Sequence, residues 1–203
     1  MTKIKLCGLK SLNDIEIINK YNPEYIGFIF YKKSKRYIDY KTAKMLKNAL
    51  NKNILAVGVF VNEDINTVVK LLNENIIDIA QLHGNESENY IKTLKKLTNK
   101  TIIKAFKVEN TLDIKKAKQS QADFVLLDSG TGGTGQTFNW SLIDDFNKPY
   151  FLAGGLSIEN IKTALDMLSP YALDVSSGIE TSGKKDPEKI KAFIQTVRQH
   201  ERI

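Results

Sequence analysis

The chain has 203 residues, 42% hydrophobic and 26% charged, and its 30 Lys+Arg against 23 Asp+Glu give a formal charge of +7. That length suits one domain, spanning 1–203, and excludes a second full one, while the apolar content excludes a disordered chain. The lysines are spread along the sequence without an aromatic-interleaved basic block, so the charge reads as a solvated surface that attracts small anions, with no nucleic-acid partner expected.

The first predicted strand, Ile4 to Cys7, begins after a short polar N-terminus with no signal-peptide apolar stretch. No apolar run reaches the roughly 18 residues that span a bilayer, so no membrane partner is expected. Cys7 is the one cysteine, which leaves no intrachain disulfide and makes a reducing cytoplasm the expected location. Further strands are predicted at Tyr25 to Phe30, Leu55 to Phe60, Ile79 to His83, Thr101 to Phe106, Phe124 to Asp128, Tyr150 to Ala153 and Ala172 to Ser176. Between most of them lie segments with helical apolar spacing, such as Ile65, Val68, Val69, Leu72 and Ile161, Ala164, Leu165, Leu168. The segment after Asp128 departs from this pattern, with a glycine-rich loop and only a short helix signal from Trp140 to Phe146.

Eight nearly continuous apolar strands alternating with helices predict a parallel sheet covered by helices, closed into a single-domain α/β fold, the (β/α)8 TIM barrel. The rival, an open doubly wound sheet, calls for a phosphate loop directly after the first strand, where Cys7-Gly8-Leu9-Lys10 carries no glycine-rich fingerprint. In a barrel the C-terminal strand ends form the active site. Cys7, Arg36, His83, Asp128, Gly154-Gly155 and Ser176-Ser177-Gly178 all end or follow strands, so all should converge on one mouth. Singly each has an ordinary explanation: Cys7 as a small buried hydrophobe, His83 as a strand cap, Asp128 as a turn residue. Glycines 130, 132, 133 and 135, with Thr131 and Thr134, form a loop whose amides can approach an anion. The loops at Gly154-Gly155 and Ser177-Gly178 follow the seventh and eighth strands, the recurrent phosphate site of barrel enzymes.

Segments spread over the chain resemble phosphoribosylanthranilate isomerase of tryptophan biosynthesis. They are Lys5-Leu6-Cys7-Gly8-Leu9, Gly27-Phe28-Ile29-Phe30, Ser34-Lys35-Arg36-Tyr37, Val57 to Asn62, Gln81 to Glu86, Leu126 to Ser129, Gly132 to Gly135, Leu152 to Leu156 and Asp174 to Glu180, in family order. The resemblance implies an Amadori rearrangement of N-(5-phosphoribosyl)anthranilate to 1-(2-carboxyphenylamino)-1-deoxyribulose 5-phosphate, with no cofactor and no metal. It implies Asp128 as general acid on the furanose ring oxygen and Cys7 as general base on the C2′ proton. Arg36 would face the anthranilate, His83 would line the same pocket, Asp174 would hold a sugar hydroxyl, and amides around Gly133, Thr134, Gly155, Ser177 and Gly178 would receive the phosphate. For these roles Asp128 should be pushed toward its protonated form by an apolar mouth, and Cys7 should feel positive potential, as from a helix N-terminus. Lys35 stands where the family often has Pro, and Asn139 where Asp often precedes Trp140; the first loosens the loop carrying Arg36.

Other readings are a different sugar-phosphate isomerase or epimerase on the same barrel, or a non-catalytic phosphate-ligand barrel. Two histidines give little material for a metal-dependent epimerase. The expected partner is a small anionic sugar phosphate, and the chain is expected to be a monomer or homodimer.

Overall fold

The computed structural model describes residues 1–130, 137–143 and 146–200. Eight parallel strands hydrogen-bond in sequence order, and the last closes on the first. They are β1 (Lys3–Cys7), β2 (Tyr25–Ile29), β3 (Leu55–Phe60), β4 (Ile79–Leu82), β5 (Thr101–Lys107), β6 (Phe124–Asp128), β7 (Tyr150–Leu152) and β8 (Ala172–Val175). Around them run α1 (Leu12–Tyr21), α2 (Tyr40–Ala49), α3 (Ile65–Asn73), α4 (Glu88–Leu97), α5 (Thr111–Gln119), α6 (Ile161–Met167) and α7 (Pro187–His200). The fold is the closed barrel read from the sequence. Phe30, His83, Ala153 and Ser176 stand just beyond the strands they were expected to end, although the N–H groups of Phe30, His83 and Ala153 still donate to the neighbouring strands at Val59, Phe60 and Leu127. Between β6 and β7 the described residues hold a single 3-10 turn, Trp140–Ile143, which matches the weak helix signal after Asp128. A small hairpin, β9 (Glu180–Thr181) with β10 (Lys184–Lys185), is an addition that the apolar pattern did not announce.

Polar side chains fix where helices start. Ser11 and Asp14 form a reciprocal capping box on α1, as do Asn110 and Asp113 on α5, while Asp39, Asp64 and Ser87 cap α2, α3 and α4. Each such cap satisfies backbone N–H groups that the first helical turn leaves without partners, worth about 1 kcal/mol.

Alternation along the strands divides the core in two. Ile4, Leu6, Ala80, Leu82, Val125, Leu127, Leu173 and Val175 point outward into the layer shared with the helices. Tyr25, Val57, Ile79, Ile103, Leu126, Phe151 and Ala172 fill the inside of the barrel.

One device repeats at the N-terminal rim. Glu24, Asp78 and Asp123 immediately precede β2, β4 and β6, and their carboxylates accept the backbone N–H of Ile4, Ala56 and Ile102 on the strand before, at 2.9, 2.7 and 2.9 Å. Each carboxylate also pairs with a cation from a helix: Arg198 of α7, Lys47 of α2 and Lys95 of α4 respectively.

Candidate active site

The C-terminal strand ends enclose a cavity of about 370 Å³, lined among others by Cys7, Arg36, His83, Asp128, Gly155, Asp174 and Ser177. Seven of the ten residues singled out from the sequence therefore meet in one place. Gly178 does not line the cavity; it packs against the backbone of Leu156, where a Cβ would collide with the Leu156 carbonyl oxygen. Gly133 and Thr134 lie outside the described residues.

The same period of two that sorts the core also layers the site. Cys7 and Asp128 end their strands facing inward and His83 and Ser176 stand one residue past theirs and line the same cavity, so the residues two places earlier form the floor beneath them. Those residues are Lys5, Gln81, Leu126 and Asp174. Lys5 is completely buried, Gln81 is 1% exposed and Asp174 9%. A floor of lysine, amide and carboxylate is unusual in a barrel interior, where branched apolar side chains dominate. Lys5 and Asp174, paired across the β1–β8 register, form a salt bridge at 2.8 Å.

The charge states follow from these neighbours. Burial pushes the Cys7 thiol above its ordinary pKa, opposed by the cations of Lys5 and Lys185 and reinforced by the Asp174 carboxylate. The positive potential on Cys7 thus comes from lysines rather than from a helix N-terminus, and burial outweighs it. Lys5 stays charged: burial pulls it down, but Asp174 and Cys7 more than restore it. Asp128 differs from the sequence-based expectation. Burial does push its carboxyl toward protonation, but the hydrogen bond from His83, the attraction of His83 whenever that ring is protonated, and hydrogen bonds from the Gly130 N–H and Ser129 together outweigh that, and its pKa falls below the ordinary value. His83 Nε2 lies 3.1 Å from Asp128 Oδ2, and the Gly130 N–H donates to Oδ1 at 3.2 Å.

Arg36 is held on the opposite side by a residue that had no assigned role. Its Nε and Nη2 donate to the two carboxylate oxygens of Glu180 at 2.7 and 2.6 Å, a fork-on-fork geometry that fixes the guanidinium plane. Lys185 donates to Glu180 at 2.7 Å and to the Ser176 carbonyl at 3.0 Å, with a side chain 1% exposed. Two cations pull the Glu180 pKa down to about 2 against the opposing effect of burial. The β9–β10 hairpin thus exists at this mouth to deliver one carboxylate and one ammonium. Glu180 was visible as the end of a motif, and Lys185 gave no signal, because a lysine in a Lys-Lys pair reads as solvated surface.

Room for the thiol comes from β2. Gly27 is the register partner of Cys7, and a Cβ placed on it would lie 2.5 Å from Cys7 Sγ. Gly27→Ala should therefore displace the thiol, with overpacking of about 1–3 kcal/mol. Steady-state kinetics beside a thermal melt check this: a folded Gly27→Ala enzyme with wild-type kcat would show that the thiol's position does not matter.

Comparison with known proteins agrees with this geometry. The family model for N-(5'phosphoribosyl)anthranilate (PRA) isomerase matches residues 4–196. The N-(5'-phosphoribosyl)anthranilate isomerase of Clostridium acetobutylicum is 47% identical over 98% of this chain and 99% of its own. The crystal structure of phosphoribosyl anthranilate isomerase from Thermotoga maritima superposes with a TM-score of 0.90 at 35% identity, covering 98% of this chain and 100% of that one. A phosphoribosyl anthranilate isomerase in complex with reduced 1-(o-carboxyphenylamino)-1-deoxyribulose 5-phosphate gives 0.88 at 34% identity, covering 98% and 100%. A closed barrel, the polar mouth and matches over nearly the whole length lead to one conclusion: this chain belongs to the N-(5'-phosphoribosyl)anthranilate isomerase family.

Proposed function

We propose that Cys7 and Asp128 carry out the Amadori rearrangement of N-(5'-phosphoribosyl)anthranilate in this chain, Asp128 as acid and Cys7 as base. The observation that carries this reading is the placement of a thiol on β1 and a His83-held carboxylate on β6 around one cavity, with the loops after β7 and β8 between them. Protonated Asp128 gives its proton to the furanose ring oxygen, the C1′–O bond breaks, and the anilino nitrogen lone pair forms the C1′=N bond. Cys7 thiolate then takes the C2′ proton, and the electron pair left behind neutralises the iminium as an enolamine, which tautomerises to the ketone.

The substrate itself helps set the protonation states. Asp128 is ionised in the free site, but an entering anthranilate carboxylate and phosphate add negative charge and exclude water, and both effects raise a carboxyl pKa. The cations Lys5 and Lys185 remain to stabilise the thiolate. Asp174 Oδ1 is buried and has no hydrogen-bond partner among the described residues, which suits it to accept from a ribulose hydroxyl. The loops bearing Gly155 and Ser177 line the end of the cavity assigned to the phosphate, and Gly178 acts there by letting the two loops pack closely.

Arg36 has spent the N–H of Nε and one of Nη2 on Glu180. What it offers the anthranilate is the three remaining N–H groups, two on Nη1 and one on Nη2, and the flat face of the guanidinium, suited to the carboxylate and the ring respectively. Arg36→Ala should raise KM about tenfold or more with a smaller fall in kcat; unchanged KM with a large fall in kcat would reject a binding role. The activity itself is tested by generating the fluorescent substrate in situ and following its disappearance, which should depend on this protein.

A further inference from the structure

Gln81 lies on the floor of the site, 1% exposed, two residues before His83 and facing the same way. Its Nε2 is 2.8 Å from His83 Nδ1, and on the other side of the ring His83 Nε2 is 3.1 Å from Asp128 Oδ2. The three side chains make a row from the buried floor to the carboxylate assigned to proton transfer. Gln81 Oε1 is buried and has no hydrogen-bond partner among the described residues.

We propose that Gln81 is a positioning residue for the reaction: its amide N–H, donated to His83 Nδ1, fixes His83 as the Nε2–H tautomer, so that the ring always offers Asp128 a donor. A primary amide nitrogen can only donate, and an imidazole nitrogen that accepts carries no proton, so the single ring proton must sit on Nε2. Turning the amide round would put Oε1 against Nδ1 and demand a proton there. The ring would then present either a lone pair to the Asp128 carboxylate or a full positive charge. It would also leave an NH2 with two donors at the place where Oε1 now stands unpartnered. An unsatisfied buried carbonyl is tolerated more readily than unsatisfied buried N–H groups, so the amide orientation, and through it the tautomer, is set by the floor of the barrel.

The consequence for the reaction is that Asp128 faces a neutral donor instead of a cation. A full imidazolium would hold the carboxylate ionised more strongly and oppose its protonation when substrate binds. This kinetic consequence rests on the reading of Asp128 as the proton donor; the tautomer does not.

Ring-nitrogen NMR separates the two. The chain has two histidines, so protein labelled with ring-15N histidine gives two imidazoles, and His200→Gln assigns them. His200 pairs with Asp166 on the outside of the barrel and takes no part in the site. At neutral pH, wild-type His83 should show a protonated Nε2 and an unprotonated, hydrogen-bonded Nδ1. Gln81→Leu should move the Nδ1 resonance and populate the other tautomer. Gln81→Glu should protonate both nitrogens, because a carboxylate can only accept. Both variants should lose about 10- to 100-fold in kcat, the scale on which outer hydrogen-bond partners of a functional group matter, with KM changed less than twofold. A wild-type His83 protonated on Nδ1, or a Gln81→Leu spectrum identical to wild type, overturns the proposal. An altered tautomer with unchanged kcat overturns its catalytic half. Near-normal turnover by Asp128→Asn would overturn the acid assignment instead and leave the tautomer standing.

Discussion

Cys7→Ser should fold, bind the reduced product analogue within a few-fold of wild type, and turn over at least two orders of magnitude more slowly. General acid-base groups contribute about 10² to 10⁴ in rate, and a serine hydroxyl keeps the shape of the thiol while being far harder to deprotonate. Asp128→Asn should lose a similar factor from the other end of the proton path. The resting charge states sharpen this expectation. Burial keeps Cys7 a thiol and hydrogen bonds keep Asp128 a carboxylate, so the reactive arrangement, thiolate with carboxylic acid, holds the same number of protons in the reverse distribution. Its activity should therefore peak with one proton on the pair. Wild-type kcat/KM should be flat through neutrality, falling only below the ordinary carboxylate pKa of about 3.9 and above the ordinary thiol pKa of about 8.5. If folded Cys7→Ser and Asp128→Asn enzymes both turn over at nearly the wild-type rate, the assignment of acid and base is wrong.

Glu180→Gln should be the most destabilising single change at the mouth, by about 3–5 kcal/mol, because it removes the shared carboxylate from two cations and leaves Lys185 buried without a counter-charge. In a chain of this length that corresponds to a fall in Tm on the order of 10 °C. Because the folded pKa of Glu180, about 2, lies below that of an unfolded glutamate, its stabilisation is fully present above about pH 4.3 and disappears as pH falls toward 2. Melting curves of the two proteins should therefore differ at neutrality and draw together in acid. A gap that stays constant down to pH 2 would show that the charge of Glu180 is not the stabilising feature. The surviving enzyme should also have a raised KM, since Arg36 loses the fork that orients it.

The barrel was legible because its strands are apolar runs at regular intervals and its functional residues sit where those runs stop. Cys7, His83 and Asp128 could be picked out as polar residues interrupting an apolar pattern. Lys5, Gln81 and Asp174 break the pattern inside the strands, and the signal for a floor is positional: counting back two from Cys7, His83 and Ser176 reaches them. Asp174 gained a role through resemblance alone, and Lys5 and Gln81 gained none, because a lone lysine or glutamine in a strand reads as a solvent-facing residue until closure turns that face inward. Glu180 and Lys185 depend on a hairpin too short to leave a periodic trace, and their partner Arg36 is 144 residues away from Glu180 in sequence. The reversed expectation for Asp128 has the same origin: burial can be anticipated from one strand, but the opposing hydrogen bond comes from His83, just past the end of β4.

The carboxylate fasteners at the N-terminal rim also say how this barrel should come apart. Glu24, Asp78 and Asp123 each tie an odd-numbered strand to the even-numbered one that follows, and each is locked by a helix cation. The cylinder is thus a ring of two-stranded quarters, three of them riveted at the base, while the fourth, β7 with β8, lacks that rivet among the described residues. Partial opening under native conditions should begin at the joints between quarters and beside the fourth one, so that slow amide exchange survives longest in pairs of strands. The fasteners hold the strand pairs from the end of the barrel remote from proton transfer, separately from the loops that carry the site.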